Sequence, residues 1–289
     1  MVIDPSIELI SSIHHPLIGE FGIQLDMLRL DLLHPAISGN KWFKLKYNIE
    51  YALEHNFTCL VSFGGAYSNH LHAMAYAGKE AGLKTIGYIR GEEVQNPTLM
   101  DCKDLGMELH FVSRTDYKHK NELEFLETLQ HKHPDTYIIP EGGSNSLGLK
   151  GCQEIVTVSD TSQYDLICCA VGTATTLMGI AQSLLQHQSA IGFTAMKNGS
   201  YLKDTISLAV NHNRWHLETE YHFGGFGKKN NTLVDFIHSF KLEQNIELDI
   251  VYTAKMMLGL LDLIQQQKFQ SGSKILAIHT GGIQGNRSS

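Results

Sequence analysis

Cys59-Leu60-Val61-Ser62-Phe63-Gly64-Gly65-Ala66-Tyr67-Ser68-Asn69-His70 is the stretch that decides the fold. A short, mostly apolar run with Val and Phe in it suits a buried strand. It stops at two glycines, and Ser68 and Asn69 then stand where a helix reaching to residue 81 begins. A strand that passes directly into a helix is half of a β-α-β unit, and repeated units build a parallel sheet with helices on its faces. The unit does recur. Strands are expected over 84–89, 108–112 and 137–140, with helices over 98–105 and 118–131 between them. In the second half, strands over 165–171 and 190–196 flank a helix over 177–185. A helix over 232–240 follows, and a strand-like run 249–253 opens a long helix to 267. The last strand covers 274–279. Upstream, residues 7–33 read as mixed, with Ile23 to Leu33 suggesting extended structure, and apolar residues at helical spacing place a helix over 41–56.

Composition bounds the function. The 289 residues are 43% hydrophobic and 18% charged, ordinary globular values. A net charge of -7 gives no support for nucleic-acid binding. The five Cys are odd in number and lack metal-type spacing, and Cys168 and Cys169 sit in an apolar run as core thiols. Met1-Val2-Ile3-Asp4-Pro5 does not open a signal peptide, and no run approaches the ~18 apolar residues of a membrane span. A reducing cytoplasmic setting is the expectation, with neither membrane nor nucleic acid as partner.

Ligands of parallel α/β sheets bind beyond the carboxyl ends of the strands, and four polar, Gly-rich stretches have that position. In the first, Ser68 and Asn69 at a helix start present backbone amides to an anion such as a carboxylate, although simple capping uses the same residues. His70 and His72 two apart point to different helix faces, which argues against a metal pair. Gly172-Thr173-Ala174-Thr175-Thr176 is an anion cradle without the Lys of a P-loop or the spacing of a dinucleotide fingerprint, so a monophosphate fits it better than a nucleotide. A capped core helix would read the same way. Tyr252 and Thr253 form the third, with Tyr252 as an orienting or acid/base group or a half-buried structural Tyr. His279-Thr280-Gly281-Gly282 is the fourth.

Ser38-Gly39-Asn40-Lys41-Trp42-Phe43-Lys44 precedes these loops. Lys41 is the candidate nucleophile, and the hypothesis it carries is a Schiff base with pyridoxal phosphate. An amine does that chemistry only when neutral, so its site must lower its pKa by burial or by nearby positive charge. Lys44, one turn on, is placed to supply part of that charge.

Taken in order, Ser38 to Lys41 with Lys44, Gly65 to His70, and His279 to Gly282 resemble the pyridoxal-phosphate-dependent group of 1-aminocyclopropane-1-carboxylate deaminase and D-cysteine desulfhydrase. The resemblance runs over about residues 28–282. It implies the type II, tryptophan synthase β-like fold. That means two α/β domains with mainly parallel sheets, a large cofactor-binding one from 1–48 plus 151–289 and a small one from 49–150. It implies a homodimer. It implies that Lys41 forms the Schiff base, that Asn69 contacts the cofactor ring oxygen, and that Gly172, Thr173, Ala174, Thr175 and Thr176 bind the phosphate. Ser68 matches the group's active-site serine. Tyr252 matches a tyrosine beside the substrate, where Ser68, Asn69, His70 and Phe226 would also lie.

Three positions depart from the deaminase pattern. Thr253 stands for a Glu, Thr280 for a Leu, and Phe226 for a second tyrosine. By the resemblance, Thr253 and Thr280 sit near the pyridine nitrogen. A Glu there keeps the ring protonated and strengthens it as an electron sink, which a Thr cannot do. β-Elimination of a good leaving group needs less of that sink than opening a cyclopropane, so D-cysteine desulfhydrase-like elimination is the expected activity. Cyclopropane-acid deamination, an amino-acid racemase or dehydratase, and a non-catalytic cofactor-binding descendant are the alternatives.

Overall fold

The computed structural model describes residues 7–37 and 39–288, so Ser38 of the lysine motif lies outside the described residues. In chain order the elements are β1 (Ile10–Ser12), α1 (Pro16–Glu20), β2 (Gln24–Arg29), α2 (Asn40–Glu54), β3 (Cys59–Gly64), α3 (Asn69–Ala81), β4 (Lys84–Arg90), α4 (Pro97–Asp104), β5 (Met107–Val112), α5 (Leu123–Lys132) and β6 (Thr136–Ile138). The second half adds α6 (Ser146–Gln153), β7 (Leu166–Val171), α7 (Thr175–Gln182), β8 (Ser189–Thr194), α8 (Leu202–Ala209), β9 (Trp215–Glu218), α9 (Asn231–Gln244), α10 (Thr253–Gln265) and β10 (Lys274–His279). A 3₁₀ turn, Ile283–Ser288, follows β10.

Two sheets form, a six-stranded one in the order β1-β2-β10-β7-β8-β9 and a four-stranded one in the order β5-β4-β3-β6. Every pairing is parallel except β1 with β2. The central strands explain why. All six residues of β7, and all six of β3, are buried. A strand covered on both faces needs a continuous apolar run, the pattern of parallel sheets.

Helix α2 leaves β2 and packs on α6, which packs on α7, and glycines set these contacts. A Cβ at Gly151 would lie 1.9 Å from the Phe43 carbonyl oxygen, and one at Gly179 would lie 2.4 Å from the Cys152 Cβ. The α2–α6–α7 layer therefore packs backbone to backbone.

Some expected elements shift. The helix expected over 118–131 begins at Leu123, because Asp116–His119 forms a 3₁₀ turn that buries the Tyr117 ring. The strand expected to run to 196 stops at Thr194. The strand-like run 249–253 is not a strand. The Asp249 carboxylate accepts from the amides of Val251, Tyr252 and Thr253, folding a tight turn that starts α10.

Candidate active site

The strands of both sheets end at one cavity of about 1380 Å³. Its floor is the start of α2. Gly39 has φ 68°, and a Cβ there would fall 1.9 Å from the Thr280 carbonyl oxygen, so only glycine lets the chain enter α2 against the end of β10. Asn40 then donates its amide N–H to that same carbonyl at 3.3 Å.

This entry sets Lys41 in the cavity wall. Its Nζ donates to Asn40 Oδ1 at 2.8 Å, and Asn40 Nδ2 donates in turn to Thr176 Oγ1 at 2.8 Å. Burial first, and the Lys44 charge second, lower the Lys41 pKa to about 7. Lys44 is itself buried and donates to Thr173 Oγ1 at 3.1 Å.

The threonine loop after β7 turns through Ala174, which has φ 64°. Gly172, Thr173, Ala174 and Thr176 line the cavity. The Thr175 hydroxyl does not. It donates to Ser144 Oγ at 2.8 Å and sits 3.1 Å from the Thr173 hydroxyl, so it supports the loop from behind.

Across the cavity Ser68 caps α3, its Oγ accepting from the Leu71 amide, and Asn69 opens the helix. Gln284, in the turn after β10, donates to Asn69 Oδ1 at 2.8 Å and so fixes which way that amide faces. His70 is buried, with Nε2 2.9 Å from Ser62 Oγ. Ser62 spends its hydroxyl hydrogen on the Ile139 carbonyl at 2.7 Å, so His70 must donate from Nε2, which leaves Nδ1 a bare acceptor. No described group bonds that Nδ1. Burial, then Lys41 and Lys44, hold the ring well below its usual pKa and keep it neutral. His72 is elsewhere, on Asp101 at 3.1 Å, and no cluster of metal-ligating side chains exists among the described residues.

Tyr252 lines the cavity beside Gly172 and meets the Phe226 ring edge-on at 5.8 Å between centroids. Burial, with Asp249 next, pushes its phenol pKa up, so it stays protonated. The glycine-rich loop that carries Phe226 is held by the buried Lys255, which donates to the His222 and Gly225 carbonyls at 3.0 and 2.8 Å. Thr280 also lines the cavity.

Thr253 does not. It is fully buried, its hydroxyl accepting from the Asp249 amide at 2.8 Å and donating to Asp249 Oδ1 at 2.7 Å. The expectation that Thr253 faces a cofactor ring is therefore corrected. The i, i+4 bond turns it inward, and Asp249 takes its place in the wall. Asp249 and Glu141 were given no role in the sequence, and Gln284 and the cavity-lining cations Arg90, Arg114 and Lys120 were not singled out. Arg90, the last residue of β4, was reachable by the strand-end rule alone.

The residues fit pyridoxal phosphate. The threonine hydroxyls, the amides at the start of α7 and the Lys44 ammonium are a donor set for a phosphate. Lys41 is an amine that can be neutral near pH 7. The unpartnered His70 Nδ1 lies in the same wall.

Comparison with known proteins agrees. The family described as pyridoxal-phosphate dependent enzyme matches residues 16–281. A Thermotoga maritima protein named "Putative 1-aminocyclopropane-1-carboxylate deaminase" is 32% identical over 287 residues, covering 92% of this chain and 91% of its own. A Salmonella paratyphi A protein named D-cysteine desulfhydrase is 27% identical, covering 90% and 87%. A crystal structure described as an ACC deaminase homologue superposes with a TM-score of 0.84 at 28% identity, over 97% of this chain and 92% of that one.

Proposed function

The chain belongs to the pyridoxal-phosphate-dependent enzymes, of fold type II, and from that premise we propose that it cleaves the β-substituent of a small D-amino acid in the manner of D-cysteine desulfhydrase, releasing a 2-oxo acid and ammonia. The observation that carries the reading is Lys41: an amine whose pKa is lowered to about 7, in the wall of the cavity that the threonine loop and the Ser68–Asn69 helix start also line.

Pyridoxal phosphate, when bound, supplies an electron sink for the carbon bearing the amine. The chain's own groups do the rest. Lys41 would hold the cofactor and, once freed and neutral, would take the α-proton. Gly172, Thr173, Ala174 and Thr176, with Lys44 behind them, hold the phosphate, and Thr175 braces the loop. Asn69, oriented by Gln284, would offer its amide N–H to the ring oxygen. Ser68, Asn69 and His70 hold the substrate carboxylate and amine at the start of α3, where backbone amides favour an anion. Tyr252, protonated, orients the substrate or gives a proton to the leaving group, and the Phe226 ring closes that side without a hydroxyl. Thr280, which lines the cavity, is the hydroxyl that would serve the ring nitrogen. The Asp249 oxygens already accept from Val251, Tyr252 and Thr253. A neutral partner there favours elimination over ring opening.

The division into residues 1–48 plus 151–289 and residues 49–150 belongs to the same proposal, supported by the separate sheets. So does a homodimer in the cytoplasm, where five buried, unpaired cysteines suit a reducing compartment. No helix among the described residues is long and apolar enough to cross a membrane.

The names of the relatives favour a second reading, deamination of 1-aminocyclopropane-1-carboxylate. Side-by-side assays of pyruvate from D-cysteine and 2-oxobutyrate from the cyclopropane acid decide between them. Turnover of the second alone reverses the order. Reconstituted protein should absorb near ~420 nm, the band of a lysine-bound cofactor, and Lys41→Ala should lose it.

A further inference from the structure

The anions of the proposed reaction are soon matched with partners: the cofactor phosphate with Lys44 and the threonine loop, the substrate carboxylate with the start of α3. The cavity wall holds more cations than that. Among the described residues, Lys41, Lys44, Arg90, Arg114, Lys120 and Lys229 line it against Glu141 and Asp249, in a chain whose net charge is -7. A cavity of about 1380 Å³ is also larger than the ~300–1,000 Å³ usual for small-molecule sites.

Three of these cations form a group. Arg90 is the last residue of β4, and Arg114 stands two residues beyond the end of β5, its pairing partner. Arg114 folds back along β4, for a Cβ built at Gly91 would lie 3.9 Å from its Nε. The buried ring of Tyr117 carries the other two, with Arg90 Cζ 6.0 Å and Lys120 Nζ 4.9 Å from its centroid. Cation–aromatic contact holds both side chains near one point without neutralising either. Lys120 has Glu141 at 3.4 Å. Neither guanidinium has a hydrogen bond or ion pair to any described residue. Guanidiniums at the ends of two neighbouring strands carry like charge, and a carboxylate or phosphate brought to them accepts their paired N–H groups and offsets it.

We propose that Arg90, Arg114 and Lys120 form a second anion-binding subsite, and that the substrate is an amino acid whose β-substituent ends in an anionic group. The proposal rests on the elimination reading and narrows its substrate class. For an O-acylserine, Lys41 takes the α-proton. The Cβ–O bond breaks with its electron pair leaving on the carboxylate. One water is consumed as the remaining enamine becomes pyruvate and ammonium.

O-Butyrylserine and O-succinylserine share that chemistry and differ only in whether the acyl chain ends in a methyl group or a carboxylate. Pyruvate release by the holoenzyme, measured with both enantiomers of each, should show kcat/KM about ten- to a hundredfold higher for the succinyl ester, the size expected of a hydrogen bond to a charged group. Arg90→Gln with Arg114→Gln should bring that ratio close to one through KM, and Arg90→Glu with Arg114→Glu should invert it. Both arginines are solvent-exposed, so the folded state tolerates the changes. Equal kcat/KM for the two esters in the unsubstituted enzyme overturns the subsite. So does a uniform loss in the variants that extends to D-cysteine and fades with salt, since that is long-range steering. If no amino acid is turned over, the elimination reading fails by itself. Calorimetric titration of the holoenzyme with O-succinylserine then decides the subsite, which stands if the paired Gln variant weakens binding and falls if it does not.

Discussion

A lysine in water keeps its proton to pH ~10.4, and Lys41 loses its own near 7 because it is buried beside a second lysine. The causes have different fates under mutation. Burial belongs to the fold, whereas the Lys44 charge can be removed alone. Cys152 and Asp249 act the other way, raising the Lys41 value. The base must be neutral, and Lys41 is a free amine only once the amino acid has taken its place on the cofactor, so kcat should rise with pH and level off above the pKa of the freed lysine. Lys44→Gln removes a positive charge that opposes protonation, so its rising limb should lie at higher pH. A pH–rate profile at saturating pyridoxal phosphate reads this, and a limb that stays put or moves to lower pH would show that Lys44 does not tune Lys41. Lys41, Lys44, Ser68 and Asn69 could be singled out in the sequence because local spacing and strand-end position govern them. Thr253 could not be placed. Its inward turn depends on a hydrogen bond to a carboxylate four residues back, and a sequence does not show whether a hydroxyl faces a ligand or its own helix cap.

At the scale of elements, the buried strands were readable from their apolar runs. Helix α6 was not, because Gly148 and Gly151 are poor helix formers and interrupt the pattern. Tertiary packing overrules propensity there: α6 lies so close to α2 that only glycine fits. A Cβ at Gly151 would meet the Phe43 carbonyl oxygen at 1.9 Å, and backbone cannot swing aside as a side chain can. Gly151→Ala gains helix propensity of roughly 1 kcal/mol, yet overpacking costs about 1–3 kcal/mol and more where backbone must move. The clash should win. Urea unfolding should give a lower midpoint for Gly151→Ala, whereas Gly82→Ala, at φ 71° but in open space, tests the cost of φ alone. Because α2 begins with Asn40 and Lys41, a displaced α2 should also weaken cofactor retention, measurable as a lower occupancy near ~420 nm. A midpoint at or above that of the parent protein would mean that α2 and α6 separate at little cost.

Over the whole molecule, the cavity is shared between two sheets, and the segment after β10 joins them. Gly282 leaves the six-stranded sheet. Gln284 then bonds Asn69 on α3 at 2.8 Å, and Arg287 pairs with Asp101 on α4, a carboxylate that also meets His72 of α3. Asn286 meanwhile keeps the strap anchored at home, donating to the Leu248 carbonyl at 3.0 Å and accepting from the Ile250 amide at 3.2 Å. The strap therefore ties α3 and α4 to the start of α10, one side chain to each helix. Arg287 is half exposed, so its pair with Asp101 contributes at most about 1 kcal/mol. Gln284 has the larger role, because it holds the Asn69 amide in one of two orientations. Gln284→Ala should raise KM and lower kcat for the amino acid, since Asn69 serves both cofactor and substrate in the proposed site. Arg287→Ala should raise KM alone, by a looser hold on α4. Hydrogen exchange separates the two effects. Faster exchange in α4 is expected for Arg287→Ala and not for Gln284→Ala. If both variants behave like the parent protein in kinetics and exchange, the strap is only a covering of the surface, and the relative position of the two sheets is set by α2 and its neighbours.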